Sequence, residues 1–295
     1  MAPVRWALAF VGVLGVSASG PLMASIAAPA LAIAFWRNAM ATAVLAPVAA
    51  GSRRRELTRL DRRHARLLMV AGLALAGHFA CWITALQLTS VASATALVCL
   101  QVGFVVLFGR WYGERVSRGV LAGLAAAFAG VLVVSGVDVT VSTEALVGDL
   151  LALAGGLFGA VYTWTGADLR RTLSTTVYTT LCYGTCALVL LLVCVGGGQA
   201  LWGYAAEDWL KLGAVAVSAQ LLGHSIFNHL LATMGPTVVS LVLLLEVPGA
   251  ALLAAVFLGQ APPAGVYAGL VLIVVGLGLV VSARRTPPPV EAGVD

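Results

Sequence analysis

Two ionisable side chains inside long apolar stretches have the clearest potential for chemistry in this sequence. Arg37 lies in the apolar stretch 27–50, and Glu246 lies near the middle of 237–259, two residues before Pro248. An ionisable group inside hydrocarbon is costly, so each must face a protein interior or a wet cavity. Both are therefore candidates for ligand binding, and Glu246 is also a candidate for proton exchange.

The depths of these two groups allow them to act together. At about 1.5 Å of rise per residue, Arg37 is expected roughly 12 Å below the outer surface and Glu246 roughly 14 Å above the inner one. In a hydrocarbon core of about 30 Å, their depths then differ by only a few ångströms. They could pair, or they could bind opposite ends of a zwitterionic ligand. The structural alternatives are an Arg37 tied to backbone carbonyls and a neutral Glu246 that fixes a bend at Pro248.

A second group of polar side chains recurs at helical spacing. His78 and Trp82 are four residues apart, and Gln220, His224 and Asn228 step by four, so each set shares one helix face. The alternative for each histidine is a hydrogen bond between neighbouring helices, which is the commoner role inside membranes. Further candidates for lining a cavity, with core packing as the alternative, are Trp36, Gln101, Tyr162 and Trp164.

The composition indicates which elements hold these residues. The chain has 295 residues, of which 61% are hydrophobic and 10% charged, and its mean hydropathy is +1.01. A soluble domain cannot bury that much apolar surface, whereas a bilayer can. At roughly 20 residues per crossing, the chain is predicted to be an all-α membrane protein with ten transmembrane helices. The predicted spans are about 4–22, 27–50, 66–88, 91–112, 118–136, 146–168, 174–197, 208–232, 237–259 and 263–283.

The distribution of basic residues predicts the orientation. An N-terminus in the cytoplasm places fifteen of the seventeen Lys and Arg residues on that side, seven of them between Arg53 and Arg66. This asymmetry predicts that both termini are in the cytoplasm (N-in, C-in). The expected location is the inner (plasma) membrane. The net charge of +5 then reflects an anchoring loop, and no nucleic-acid partner is expected. The Pro-rich tail 284–295 is predicted to be disordered and cytoplasmic.

The two halves of the sequence repeat at an offset of 146 residues. Each half is predicted to contain five helices, in 4–136 and 146–283. Because five is odd, the second half crosses the membrane in the opposite sense, which is an inverted-topology repeat with a substrate site expected at the midplane. At this offset Glu246 corresponds to Leu100, beside Gln101, so the halves differ chemically there. Matching pairs include Gly77-His78 with Gly223-His224, Gly113 with Gly259, Ala122-Gly123-Leu124 with Ala268-Gly269-Leu270, and Gly130 with Gly276.

Several segments resemble a known transporter family. They are FWRNAMA, ALQLTSVASATALV, WYGERVSRGVLAGLAAAFAGVLVVSG and LLLEVPGAALLAAVFLGQAPPAGVYAGLVLIVVG. Over about residues 4–283 the chain resembles the EamA type of the drug/metabolite transporter superfamily. It departs from that pattern where Val247 separates Glu246 from Pro248. It also has Gln260 in place of the glutamate that Glu114 represents in the first half.

The resemblance implies a secondary transporter that exports small organic metabolites such as amino acids by alternating access. Translocation of a lipid or lipid-linked substrate is one alternative, and a non-transporting membrane sensor or assembly protein is another. The sequence contains no glycine-rich phosphate loop, HExxH helix or nucleophile elbow. We therefore expect no enzyme activity, cofactor or metal. The expected partners are the bilayer and a small-molecule substrate, and the sequence predicts no oligomeric state.

Overall fold

The computed structural model of the chain describes residues 2–113, 116–136, 142–260 and 264–285, and every regular element in these ranges is a helix. The first set comprises α1 (Ala2–Ser17), α2 (Ser19–Ala24), α3 (Ala30–Ser52), α4 (Arg54–Leu57), α5 (Arg62–Leu88), α6 (Val91–Val98), α7 (Gln101–Trp111) and α8 (Arg118–Gly136). The second set comprises α9 (Thr143–Leu169), α10 (Thr175–Gly196), α11 (Ala206–Val215), a π-helical segment (Ala216–His224), α12 (Ser225–Met234), α13 (Pro236–Leu243), α14 (Glu246–Leu258) and α15 (Ala264–Arg285). The prediction of an all-α protein is confirmed.

Eight helical stretches of the described residues are long and apolar enough to cross a bilayer. Two shorter apolar helices, Arg118–Val133 and Tyr267–Gly276, lie where the fifth and tenth spans were expected. The chain is therefore a multi-pass membrane protein, and the count of ten crossings stays a prediction. Glu114 and residues 286–295 of the predicted tail lie outside the described residues. The eight stretches are Pro3–Ala24, Ala30–Ser52, Arg62–Leu88, Val91–Trp111, Thr143–Leu169, Thr175–Gly196, Ala206–Met234 and Pro236–Leu258.

Two of the expected helices, the fourth and the ninth, are each broken near the middle. The first breaks between α6 and α7 and the second between α13 and α14. At both breaks, backbone N–H groups bond three residues back, as Leu100 does to Leu97 and Leu245 to Val242, which tightens the chain into a 3₁₀-like turn. The bend expected at Pro248 therefore lies before it. Its position has a physical reason, because Pro248 has no N–H to donate four residues back.

The second pieces of the broken helices begin at Gln101 and Glu246. These residues are 145 apart, so the counterpart of Glu246 is Gln101, and the correspondence with Leu100 expected from an offset of 146 is wrong. The reason lies in the preceding connection. Two residues, 89 and 90, join α5 to α6, whereas Gly235 alone joins α12 to α13, at a φ of +77° that favours glycine.

Glycines bring the last helix of each set into close contact. Gly130 on α8 faces the carbonyl oxygen of Gly269 on α15, and Gly276 on α15 faces the carbonyl oxygen of Gly123 on α8. A Cβ atom at either position would overlap the facing oxygen. Small residues permit such approach where packing and not water drives helix association. The two contacts are reciprocal, because Gly276 corresponds to Gly130 and Gly269 corresponds to Gly123, each at an offset of 146 residues.

Candidate functional site

A buried cavity lies among the helices where the two breaks meet. Seven of the nine predicted site residues line it, and they come from α5, α7, α9, α12, α14 and the π-helical segment. Its volume is about 30 Å³, which is space for about two waters and far too little for a metabolite. The structure is therefore a closed arrangement. The seven residues are His78, Trp82, Gln101, Tyr162, His224, Asn228 and Glu246.

The breaks place Gln101 and Glu246 at the N-termini of two half-helices inside the protein. The dipole of a helix favours a negative charge near its N-terminus. Some of the N–H groups at these two ends are already bonded within the turns, as Val102 is to Cys99 and Val247 is to Leu244. Glu246 is only 7% exposed. Within the described residues, its carboxylate makes no hydrogen bond to the protein. Broken helices with such ends are the usual framework of ion and substrate sites in secondary transporters.

The two histidines meet in the cavity. Their ring centroids are 6.2 Å apart. His78 donates from Nδ1 to the Gly155 carbonyl oxygen at 2.9 Å, which leaves its Nε2 able to accept a hydrogen bond in the neutral form. The His224 ring has no hydrogen-bond partner among the described residues. The indole N–H of Trp82, which also lines the cavity, is buried and likewise without a partner in this part of the chain.

Asn228 and Tyr162 form the opposite wall. The amide nitrogen of Asn228 donates to the Tyr162 hydroxyl at 2.6 Å and to the Tyr183 hydroxyl at 3.2 Å. Tyr183 in turn contacts the Ser225 hydroxyl at 3.2 Å. Sequence reasoning missed Tyr183, because a tyrosine in an apolar run gives no sign of which neighbouring helix it faces.

Gly159 is a second residue that sequence reasoning missed. A Cβ atom there would lie 2.9 Å from Nδ1 of His78 and would overlap Oε1 of Gln101. The glycine therefore creates the room in which these two side chains meet. Its signal in the sequence is the glycine four residues earlier, Gly155, because small residues at this spacing mark a helix face in close contact.

Arg37 lies beside the cavity and not in its lining. Its side chain is 0% exposed. Nε donates to Gln220 Oε1 at 2.9 Å, Nη1 to the Met23 sulfur at 3.4 Å, and the guanidinium carbon lies 4.0 Å from the Phe79 ring centroid. The tie to backbone carbonyls considered as an alternative is therefore not what holds it. Arg37 and Glu246 form no contact ion pair, although both are among the described residues.

The π-helical segment positions two of the polar groups that surround the cavity. It contains Gln220, which holds Arg37, and it ends at His224. The Gln220 carbonyl accepts from both the backbone N–H and the hydroxyl of Ser225, the hydroxyl at 3.0 Å. Such segments occur frequently at functional sites, since they move side chains out of α-helical register.

Trp36 lies away from the cavity. Its ring packs edge-on against Trp202 and Trp209, with centroids 4.6 and 4.9 Å apart, and its Nε1 donates to the Leu201 carbonyl at 2.8 Å. It follows Phe35 and precedes Arg37 on α3, so it points to a different side of the helix from Arg37. The structure thus uses Trp36 to hold the connection between α10 and α11.

Polar contacts close the arginine-rich end of the bundle. The Glu56 carboxylate accepts from the Ser174 backbone N–H at 2.6 Å, and Arg63 pairs with Asp168. Arg170 donates from Nε to the Asn228 carbonyl at 3.0 Å, which links this end to the cavity wall. Burial lowers the pKa of the Arg170 guanidinium from its ordinary value.

Other contacts close the opposite end of the bundle. Asp208 accepts from the Ala27 backbone N–H at 3.1 Å, and Lys211 donates to the Ser25 carbonyl at 3.1 Å. Among the described residues, no group of three or more His, Cys, Asp or Glu side chains is placed to hold a metal ion. The lining of the cavity itself offers hydrogen-bonding groups, ring faces, one thiol and one carboxylate.

Comparison with known proteins gives matches to sequence and to fold. Residues 5–136 and 146–282 each match the EamA-like transporter family. A solved structure titled "Crystal structure of protein" superposes with a TM-score of 0.72 at 22% identity. That match covers 96% of this chain and 98% of the other, and it shows a shared fold. No curated protein matches the chain.

Proposed function

The chain belongs to the EamA-like transporter family, and on that premise we propose that it exports small organic metabolites such as amino acids across the inner membrane. The energy comes from a solute or proton gradient, and the mechanism is alternating access. The observation that supports this most directly is the central cavity. Seven polar or aromatic side chains from both halves of the chain converge on it, at the breaks of two membrane-spanning helices.

The unpartnered groups of the cavity suit an amino acid. The Glu246 carboxylate can bind an ammonium group, and the Trp82 indole N–H can donate to a carboxylate oxygen. Arg37 adds a positive charge beside the cavity, with one guanidinium nitrogen, Nη2, buried and unpartnered among the described residues. A zwitterion would therefore meet the Glu246 carboxylate at its ammonium end and the Trp82 indole N–H at its carboxylate end, with the Arg37 charge beside the cavity.

Alternating access needs the two ends of the bundle to open in turn. One end is held by Glu56 with Ser174 and by Arg63 with Asp168. The other end is held by Asp208 with Ala27 and by further contacts of the connection between α10 and α11. In the closed arrangement both sets are formed. Substrate enters when one set separates while the other persists.

The proposal includes two five-helix repeats, 4–136 and 146–283, of inverted topology, with both termini in the cytoplasm. Three observations support it. They are the arginine distribution, the paired breaks at Gln101 and Glu246, and the reciprocal glycine contacts of α8 and α15. A helix pair related by a two-fold axis makes each contact twice, as these glycines do.

Lipid translocation is the second candidate, and a lateral pocket favours it. A pocket of about 530 Å³ lies between α2, α11 and α14, with apolar walls and the Lys211–Glu207 ion pair at 2.6 Å. An acyl chain and a zwitterionic headgroup would suit that combination. The pocket shares no lining residue with the central cavity, so we favour the metabolite.

The experiment that tests the proposal is counterflow in proteoliposomes against a panel of amino acids and related metabolites, with Glu246→Gln beside the wild type. Glu144→Gln is the matched control, because Glu144 is an exposed carboxylate at the start of α9. We expect saturable counterflow that Glu246→Gln lowers at least about tenfold, with Glu144→Gln close to wild type. Equal rates for Glu246→Gln and wild type across pH would refute the role of Glu246. Lipid scrambling without any metabolite counterflow would refute the proposed function.

A further inference from the structure

A second, larger pocket opens at the arginine-rich end of the bundle. It lies between α4 and the connection from α9 to α10, and its volume is about 820 Å³. It shares no lining residue with the central cavity. Four arginines line it together with one carboxylate, Glu56, and with His64 and Thr172. The four are Arg53, Arg54, Arg55 and Arg59.

The positive charge of this pocket is only partly offset by the protein, because four arginines line it against one carboxylate, Glu56. The nearby carboxylates contact groups other than these four arginines. Glu56 accepts from the Ser174 backbone N–H, Asp61 lies 2.8 Å from both the backbone nitrogen and the ring Nδ1 of His64, and Asp168 accepts from Arg63. Within the described part of the chain, none of the four lining arginines forms an ion pair. All four are exposed.

The walls of the pocket are held together across two connections. The Glu56–Ser174 contact fixes α4 against the start of α10. His64 Nε2 and the Thr172 hydroxyl form a hydrogen bond of 3.0 Å between α5 and the α9–α10 connection. The backbone that carries the four arginines is therefore held against the α9–α10 connection at two points.

This arrangement matches the chemistry of phosphate. A guanidinium group presents paired N–H donors that fit two phosphate oxygens at once, and several are needed to balance a phosphate charge. The pocket adjoins the ends of α3 and α5, two helices that are long and apolar enough to span a bilayer, so lipid headgroups are expected at its level. Basic pockets in this position bind anionic headgroups.

We propose that this pocket is a binding site for a phosphate group, borne by an anionic lipid headgroup or by a free phosphate-bearing solute. A bound phosphate joins α4 to the α9–α10 connection and so stabilises the closed arginine-rich end. This site is separate from the proposed transport site, and the proposal does not depend on transport.

The test uses the full-length protein purified in an uncharged detergent. Binding of fluorescent phosphatidylglycerol is measured by titration, with fluorescent phosphatidylcholine, whose phosphate is balanced by choline, as the neutral comparison. Inorganic phosphate at increasing concentration is the competitor that identifies a free source. The pocket variant is Arg55→Gln with Arg59→Gln. The matched control is Arg62→Gln with Arg66→Gln, which removes the same charge from the same segment outside the pocket.

We expect the pocket variant to weaken phosphatidylglycerol binding about tenfold and the control variant to change it less than about twofold. Phosphatidylcholine should bind weakly to all three proteins. Because the four substituted side chains are exposed, both variants should unfold at the wild-type temperature without lipid. Inorganic phosphate that displaces the lipid at millimolar concentration assigns the pocket to free phosphates, and failure to displace it assigns the pocket to headgroups. Equal weakening by the two variants, or equal binding of the two lipids, would overturn the proposal.

Discussion

Substituting Gly159 by alanine tests whether the central cavity is the transport site. Gly159 is the position where α9 approaches the cavity, and an added methyl group must displace the side chains of both His78 and Gln101. The displacement also strains the hydrogen bond from His78 to the Gly155 carbonyl, now 2.9 Å. The substitution leaves every charged group of the site unchanged. Any change in transport therefore reports on the room available in the cavity.

The magnitude follows from two opposing effects. Extra atoms in a well-packed interior cost about 1–3 kcal/mol, whereas replacing glycine within a helix gains roughly 0.5–1 kcal/mol. The net loss of stability expected for Gly159→Ala is about 0–2.5 kcal/mol, with a middle value of about 1 kcal/mol. If the displaced His78 and Gln101 contact substrate, a similar loss appears in its binding, which raises the half-saturating concentration about tenfold.

Thermal unfolding and counterflow measure the two effects, and Gly213→Ala is the matched control. Gly213 lies on α11, and a Cβ atom there would meet nothing within 4 Å. The control should unfold at or slightly above the wild-type temperature and transport normally. Wild-type half-saturation together with wild-type stability for Gly159→Ala would refute the placement of substrate beside His78 and Gln101.

Three further substitutions test the packing around the site. Gly276→Ala should lower the free energy of unfolding by about 1–3 kcal/mol, because its Cβ would overlap the Gly123 carbonyl. Gly278→Ala on the same helix faces open space and should leave the unfolding temperature unchanged. Equal unfolding temperatures for the two variants would contradict the close contact of α8 and α15. Asn228→Ala removes the amide that donates to the Tyr162 and Tyr183 hydroxyls, of which Tyr183 keeps a further contact, to Ser225, and should lower the free energy of unfolding by about 1–3 kcal/mol. Unchanged unfolding would show that the amide does not hold this wall. In Arg37→Lys the lysine cannot both reach Gln220 and stack on Phe79, so the free energy of unfolding should fall by about 1–3 kcal/mol. Arg66→Lys, at an exposed position, should leave it unchanged. If the two variants unfold at the same temperature, Arg37 is not held as described.

The positions of the spans could be predicted from the sequence because apolar length is a local property. A run of about 20 apolar residues spans a bilayer whatever its neighbours are. For the same reason Arg37 and Glu246 stood out, since a charge in such a run is visible without any structure. The pairing of His78 with His224 was also accessible, through the repeat.

The helix breaks could not be predicted, because they depend on a balance between backbone bonds and packing against other helices. The sequence around Gln101 is uniformly apolar, and its break has no proline. The shorter connection at Gly235 shifted the correspondence of the halves by one residue, which an offset taken from other positions missed. The direction of Trp36 depends on where the α10–α11 connection folds back, and nothing near Trp36 encodes that.

The reactivity of Cys99 tests alternating access through the cavity most directly. Cys99 lines the cavity and is 2% exposed in the closed arrangement. It can be made the sole thiol by replacing Cys81, Cys182, Cys186 and Cys194 with alanine. Transport by that variant is checked first. A membrane-impermeant thiol reagent is then applied to right-side-out and to inverted vesicles, with and without a substrate found by counterflow.

If the cavity opens to each side in turn, Cys99 reacts from both faces of the membrane, and substrate slows the reaction at both. Reaction with a membrane-permeant reagent but with the impermeant reagent from neither face would contradict alternating access through this cavity.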